Sequence, residues 1–276
     1  MWFGTRAYMQ EIRDPGPEPE YESPAWEVKT QYLDGAVGLS KSKSFHREFA
    51  FTWDGLTQAQ VRQITDYADG VYGDGLIYWF DEYTSTQNAL PQAWATPAVG
   101  GYDGAPLAGD VRPVLSANSV MSQGYPAELA TYTIATTDTL RSVFVPIPPG
   151  YSGWVGIHGA TDAQDFVKVT PYTGSTAGTV VHPTILSTAT TTRVNTEIAG
   201  GATGLELSFD NTTDGTFTLA GMIVQILPTG DTPETGGFIS GQGHSGCRFD
   251  GRPTKVPFVV RSADASQVAI RLVEVA

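Results

Sequence analysis

The residues best equipped for chemistry are four histidines, His46, His158, His182 and His244, and a single cysteine, Cys247. No two histidines stand at the i, i+4 spacing of a helical metal site, and no H-E-x-x-H occurs. His244, Cys247 and Asp250 fall three apart inside one glycine-rich stretch, Gly241 to Asp250 (GQGHSGCRFD). A metal there needs ligands from elsewhere to reach four, so the stretch reads as a turn whose backbone Gly243 and Gly246 set. A nucleophilic Cys247 would need a partnered histidine and a positive surround. The sequence identifies neither, and the thiol reads as small and buried. Arg248 is adjacent, but neighbouring strand residues point to opposite faces.

Among the carboxylates, Glu128, Glu197 and Glu206 are the only glutamates between residues 96 and 230, and none sits in a recognisable motif. Neither a G-x-S-x-G elbow nor a P-loop is present. Gly73-Asp74-Gly75 follows a helix, whereas a phosphate cradle precedes one. The expectation is a protein that is not an enzyme and holds no cofactor or metal. Binding is better provided for. Trp154, Tyr151, Tyr172 and Tyr125 lie in or beside loops of a threonine-rich region, where exposed aromatics stack on sugar rings. These four are the candidate glycan-binding residues. The other reading of Trp154 is a core position between two sheets, and it is the favoured one. Asp210, Asn211 and Asp214 could ligate calcium or simply turn the chain, and turns are the commoner use of such clusters.

The elements that position these residues are mainly β. The 276 residues include 31 glycines and 18 prolines, which favours short strands and turns over long helices. Lys and Arg number 16 against 29 Asp and Glu, a net charge of −13, and such a balance argues against a nucleic-acid-binding surface. One cysteine rules out an internal disulfide. The first ten residues lack the layout of a secretory signal, and no apolar run approaches the roughly 20 residues that span a bilayer. A soluble, unexported chain with no membrane partner is expected.

Charge divides the sequence in three. Residues 1–95 carry a net −7, residues 96–230 a net −6 from few charges, and residues 231–276 a net of zero. The middle segment also holds 23 threonines, a strand-favouring residue. This predicts one discontinuous domain, 1–95 plus 231–276, with 96–230 inserted. In the first segment the proline-punctuated Asp14 to Ser23 reads as an extended arm or loop. Trp26, Val28, Thr30 and Tyr32 alternate before an Asp34-Gly35 turn. Phe45, Arg47, Phe49, Phe51 and Trp53 share one strand face. One helix stands out, with a Thr57/Gln60 capping box, an apolar face of Val61, Ile64 and Ala68, and Gly70 at its end. Leu76 to Phe80 reads as a buried strand. Residues 96–230 read as short strands of a sandwich or jelly roll, with no amphipathic helix.

Two stretches carry a resemblance: ITDYADGVYGDGLIYWFDEYTSTQNALPQAWATP (64–97) and GQGHSGCRFDGRPTKVPF (241–258). Their specific parts are Asn88-x-Leu90-Pro91-x-x-Trp94 and His244-Ser245-Gly246-Cys247-Arg248-Phe249. The chain resembles minor tail proteins of long-tailed phages that infect actinobacteria, and its split layout is similar to distal tail proteins. The resemblance implies a β-sandwich or barrel-like tail domain with one helix and an extra outward β domain, here inserted, akin to a carbohydrate-binding module. It also implies a virion protein of the tail tip, made in the host cytoplasm, forming a ring (a hexamer favoured over a trimer) and contacting other tail proteins. DNA would pass through without specific binding, and host cell-wall glycan is a further expected partner. The alternative is a carbohydrate-binding protein that acts as a monomer.

Overall fold

A computed structural model describes residues 1–16, 20–22, 27–31, 37–41, 47–73, 75–97, 111, 113–117, 128–159, 166–186, 195–198, 201–233, 238–260 and 263–275. Tyr125, His46, Phe45, Trp26, Tyr32, the Asp34-Gly35 turn and Asp74 lie outside the described residues. In chain order the elements begin with β1 (Trp2–Thr5), β2 (Tyr8–Glu11), β3 (Glu20–Glu22), β4 (Glu27–Gln31), β5 (Val37–Lys41) and β6 (Glu48–Leu56). Next come α1 (Gln58–Ala68), β7 (Ile77–Trp79), α2 (Glu82–Asn88) and α3 (Gln92–Ala95). The central strands are β8 (Val114–Ala117), β9 (Glu128–Ile134), β10 (Ser142–Pro146), β11 (Tyr151–Gly159), β12 (Val167–Thr173), β13 (Thr176–Ala177) and β14 (Ile185–Leu186). They continue as β15 (Asn195–Ile198), β16 (Gly204–Phe209) and β17 (Gly215–Pro228). The last are β18 (Cys247–Phe249), β19 (Thr254–Val260) and β20 (Ala263–Glu274). The chain is mainly β and its sheets are largely antiparallel.

The chain divides into two compact units, both discontinuous. The first comprises Met1, Ile12–Ile77 and Cys247–Ala276. Its spine is β20, paired with β6 on one side and with β18 and β19 on the other. The period of two places Phe49 opposite Leu272, Phe51 opposite Ile270 and Trp53 opposite Val268. All six are buried, each worth about 1.5–3 kcal/mol in apolar area removed from water. The Trp53 indole N–H donates to the Arg13 carbonyl at 2.7 Å. Helix α1 packs on β6 and β20 through Val61 and Ile64. It starts on the expected capping box and ends at Gly70, whose φ of 73° only glycine adopts readily.

The expected proline arm differs in part. Glu20–Glu22, a stretch of it without proline, keeps its backbone N–H groups and adds to β6 as an edge strand.

The second unit comprises Trp2–Glu11 and Tyr78–Gly246. Within it, strands β10, β16, β12 and β13 form a four-stranded sheet, and β14, β11, β17, β9 and β8, with β15 on β11, form a six-stranded one. Their apolar faces share one core. Val143, Val145, Val167, Val169, Leu205 and Leu207 come from the smaller sheet, and Val155, Ile157, Tyr132, Phe217, Val224 and Ile226 from the larger. Gly153 marks how closely they approach, since a Cβ there would lie 2.8 Å from the Leu205 side chain.

Two helices are added to the one expected, α2 and α3. Neither has an apolar stripe to announce it: the buried positions of α2 are Ser85 and Asn88, so its cap on Asp81 and its docking on β17 fix it instead. Composition put boundaries at 95/96 and 230/231, whereas the units change over at 77/78 and 246/247. The physical reason is that α2 and α3 pack on β17, and that Ile239, Gln242, Gly243 and His244 bond to residues 79–90. Among the described residues no helix is long and apolar enough to cross a membrane.

Candidate functional site

Asn88, the last residue of α2, is fully buried. Its Nδ2 donates to the Met222 carbonyl at 3.1 Å and the Ile239 carbonyl at 2.8 Å. Its Oδ1 accepts from the Leu90 N–H at 3.2 Å and the Val224 N–H at 3.1 Å. Both donors and both acceptor sites of the amide are therefore occupied. The Asn88 carbonyl accepts from Gln242 and Gly243, and Gly243 N–H also donates to the Leu90 carbonyl at 3.1 Å. The approach is possible only without a side chain, because a Cβ on Gly243 would sit 1.7 Å from the Ala89 carbonyl oxygen. One residue on, His244 lies on Trp79 with ring centroids 3.6 Å apart and planes 17° from parallel. Its Nε2 is 3.3 Å from the Trp79 carbonyl and its Nδ1 is 2.8 Å from that of Ser245.

This arrangement holds backbone. Cys247 is buried, and burial first and the Glu274 charge second push its thiol up, which suppresses the thiolate. Among the described residues no group of three or more His, Cys, Asp or Glu is arranged to hold a metal. Asp210 accepts from the Thr212 N–H at 2.9 Å and Asp214 from the Thr136 N–H at 2.7 Å. Burial alone would raise the Asp210 carboxyl, but the Thr212 bonds and the nearby Lys168 and His182 hold it below its usual range. Asp210 thus closes a local turn, and Asp214 ties its loop to the one at Thr136.

Among the described residues, Trp154, Tyr151 and Tyr172 do not form one site. Trp154 lies on the face of β11 opposite Val155 and Ile157, so it is not between the sheets. It is half-buried, in register with Glu197 of β15 and Gln225 of β17. Its indole N–H is buried without a hydrogen-bond partner among the described residues. Gln225 is engaged, donating from Nε2 to the Thr86 carbonyl at 2.8 Å. Tyr151 opens the same strand, donates to Glu82 Oε1 at 3.3 Å and meets Phe80 edge-on at 5.0 Å. Burial and the Glu82 charge both push its phenol up.

Tyr172 is on the outer face of the other sheet, in a cluster that no sequence motif announces. The Arg6 guanidinium lies 3.8 Å from the centroid of the Tyr172 ring and donates to Glu206 Oε2 at 2.6 Å. Burial by itself would raise the Glu206 carboxyl. Hydrogen bonds from Ser142, Arg6 and Tyr172 and the Arg6 charge outweigh it and hold the group below its usual range. Arg6 is 200 residues away in sequence, so no local spacing could have pointed to the pair.

Set against known proteins, the chain matches no family model, no curated protein and no solved structure.

Proposed function

We propose that the chain is a non-enzymatic structural subunit of a phage tail tip. In this reading it forms a homo-oligomeric ring around the tail axis, a hexamer favoured over a trimer. It displays a β-sandwich of jelly-roll, carbohydrate-binding-module type toward the host or other tail proteins. The observation that carries the reading is the Asn88–Gly243 junction. The two segments bearing the family resemblance meet there, the Gln242 and Gly243 N–H groups donating to the Asn88 carbonyl and Gly243 also to that of Leu90. Uncharged bonds of this kind suit a part whose task is to keep its shape. The core shared by a four-stranded and a six-stranded sheet supports the sandwich assignment. The acidic balance suits a channel that DNA traverses without sticking. Cryo-electron microscopy of the parent particle's tail tip tests the proposal. A closed ring of this chain around the axis is the expected result, and absence of the chain from the tail overturns it.

A second reading is a monomeric protein binding host cell-wall glycan. The half-buried Trp154 supports it, flanked in register by a carboxylate and an amide on an outer sheet face. It predicts calorimetric binding of cell-wall fragments that Trp154→Ala abolishes. Binding unchanged by that substitution would remove Trp154 from the reading.

A further inference from the structure

Residues 238–246 (FISGQGHSG) run as a strap with neither helix nor strand, and His244 is their one ionisable side chain. The upstream part of the strap is held by uncharged bonds. Ile239 accepts from Asn88 Nδ2, and the Gln242 and Gly243 N–H groups donate to the Asn88 carbonyl. The downstream end is tied by the His244 ring. Both of its nitrogens face carbonyl oxygens, Nδ1 that of Ser245 at 2.8 Å and Nε2 that of Trp79 at 3.3 Å. A carbonyl only accepts, and a neutral imidazole has one N–H and one lone pair. In the neutral ring one nitrogen therefore turns its lone pair on an oxygen. In the imidazolium both nitrogens donate.

The stack favours the same form. The ring lies on Trp79 with centroids 3.6 Å apart and planes 17° from parallel, and a cation on an indole face is attracted by its quadrupole. His244 is half-buried, so burial opposes the charge only in part. Neighbouring titratable groups leave that balance in place. On β7 the ionisable residue is Tyr78, whose ring meets Phe144 edge-on at 4.9 Å. Beyond β7 come the carboxylates of Asp81, which accepts from the Tyr83 N–H, and Glu82, which accepts from Tyr151. Negative charge there favours a cation. Helix α3 and strand β17 carry no ionisable side chain. Downstream, burial keeps the Cys247 thiol neutral, and Arg248 is exposed.

We propose that His244 is held as an imidazolium at neutral pH and works as a pH-sensitive latch, fastening the downstream end of the strap to Trp79 when protonated and releasing it when the ring loses a proton. A histidine whose charged form the fold favours titrates above its ordinary value of about 6.5. The stability the latch supplies is therefore complete below that value and is lost as pH rises through the folded-state midpoint. The upstream bonds to Asn88 involve no ionisable group and persist. The latch is the same whether the chain is a ring subunit or a monomer.

The test uses the full chain, isotopically labelled, with each histidine ring assigned through its backbone and followed by NMR from acid to alkaline pH. The expected His244 midpoint lies above about 7.5, one unit over the ordinary value, with both ring nitrogens protonated at neutral pH. A lower midpoint overturns the proposal. Backbone order at 244–246, measured by 15N relaxation, should fall across the midpoint from about 0.85 to below about 0.6, while 239–243 stays rigid. A raised midpoint with unchanged order at 244–246 leaves a charged ring and overturns the latch. His244→Phe keeps a ring on Trp79 without the protons, and its order at 244–246 should be the same on both sides of the wild-type midpoint. The same loss of order in that variant overturns His244 as its source.

Discussion

The two units solve the same problem, a buried polar group, in opposite ways. In the first, Glu274 near the end of β20 is almost fully buried and takes two bonds from Arg47, Nε to Oε2 at 2.8 Å and Nη2 to Oε1 at 2.9 Å. In the second, Asn88 meets four backbone groups with a neutral amide. A charged clamp works only while both partners stay charged and desolvation is repaid. A neutral clamp has no such dependence. The second unit also contains a half-exposed clamp, Arg6 on Glu206, with side-chain exposures of 35% and 15%. The contrast teaches that burial, more than the type of bond, sets what a polar contact is worth.

The strongest way to break the neutral clamp is Gly243→Ala, which puts a methyl group into the Ala89 carbonyl. A loss above about 4 kcal/mol is expected in urea unfolding. Next comes Asn88→Ala, which strands two N–H groups and two carbonyls and should cost about 3 kcal/mol. In the first unit, Arg47→Met removes both side-chain bonds to the buried Glu274 carboxylate, with an expected cost of roughly 3 kcal/mol. Adding Glu274→Leu should recover most of that loss. If the double variant is no more stable than the single, the clamp analogy fails.

The smallest effect is Arg6→Ala, about 1 kcal/mol at neutral pH because the pair is partly solvated. Its sign with pH is fixed. A carboxyl held below its usual 4.5 contributes stability that is present above that value and lost as pH falls through the folded-state value. Wild type and Arg6→Ala should therefore converge in melting temperature as the solution is acidified below pH 4.5. A gap that widens on acidification would contradict the assignment.

Local and periodic features were readable without the structure. Helix α1 was readable because its cap, apolar face and terminal glycine lie within fourteen residues of one another. The inward positions Phe49, Phe51 and Trp53, and Leu205, Leu207 and Phe209, followed from the alternation of a strand. Helix α2 was not readable, since the partners of Asn88 are residues 222, 224 and 239. For Trp154, alternation with Val155 was evident, but which face met a second sheet was not.

The sequence by itself determined the β character, the alternating core positions and the one self-capped helix, because each depends on residues within a few positions of one another. Tertiary structure alone decided the unit boundaries, the edge role of Glu20–Glu22 and the Arg47–Glu274, Arg6–Glu206 and Asn88–Gly243 contacts. Those depend on groups far apart along the chain, up to 227 residues in the Arg47–Glu274 pair, that meet only once the sheets have formed.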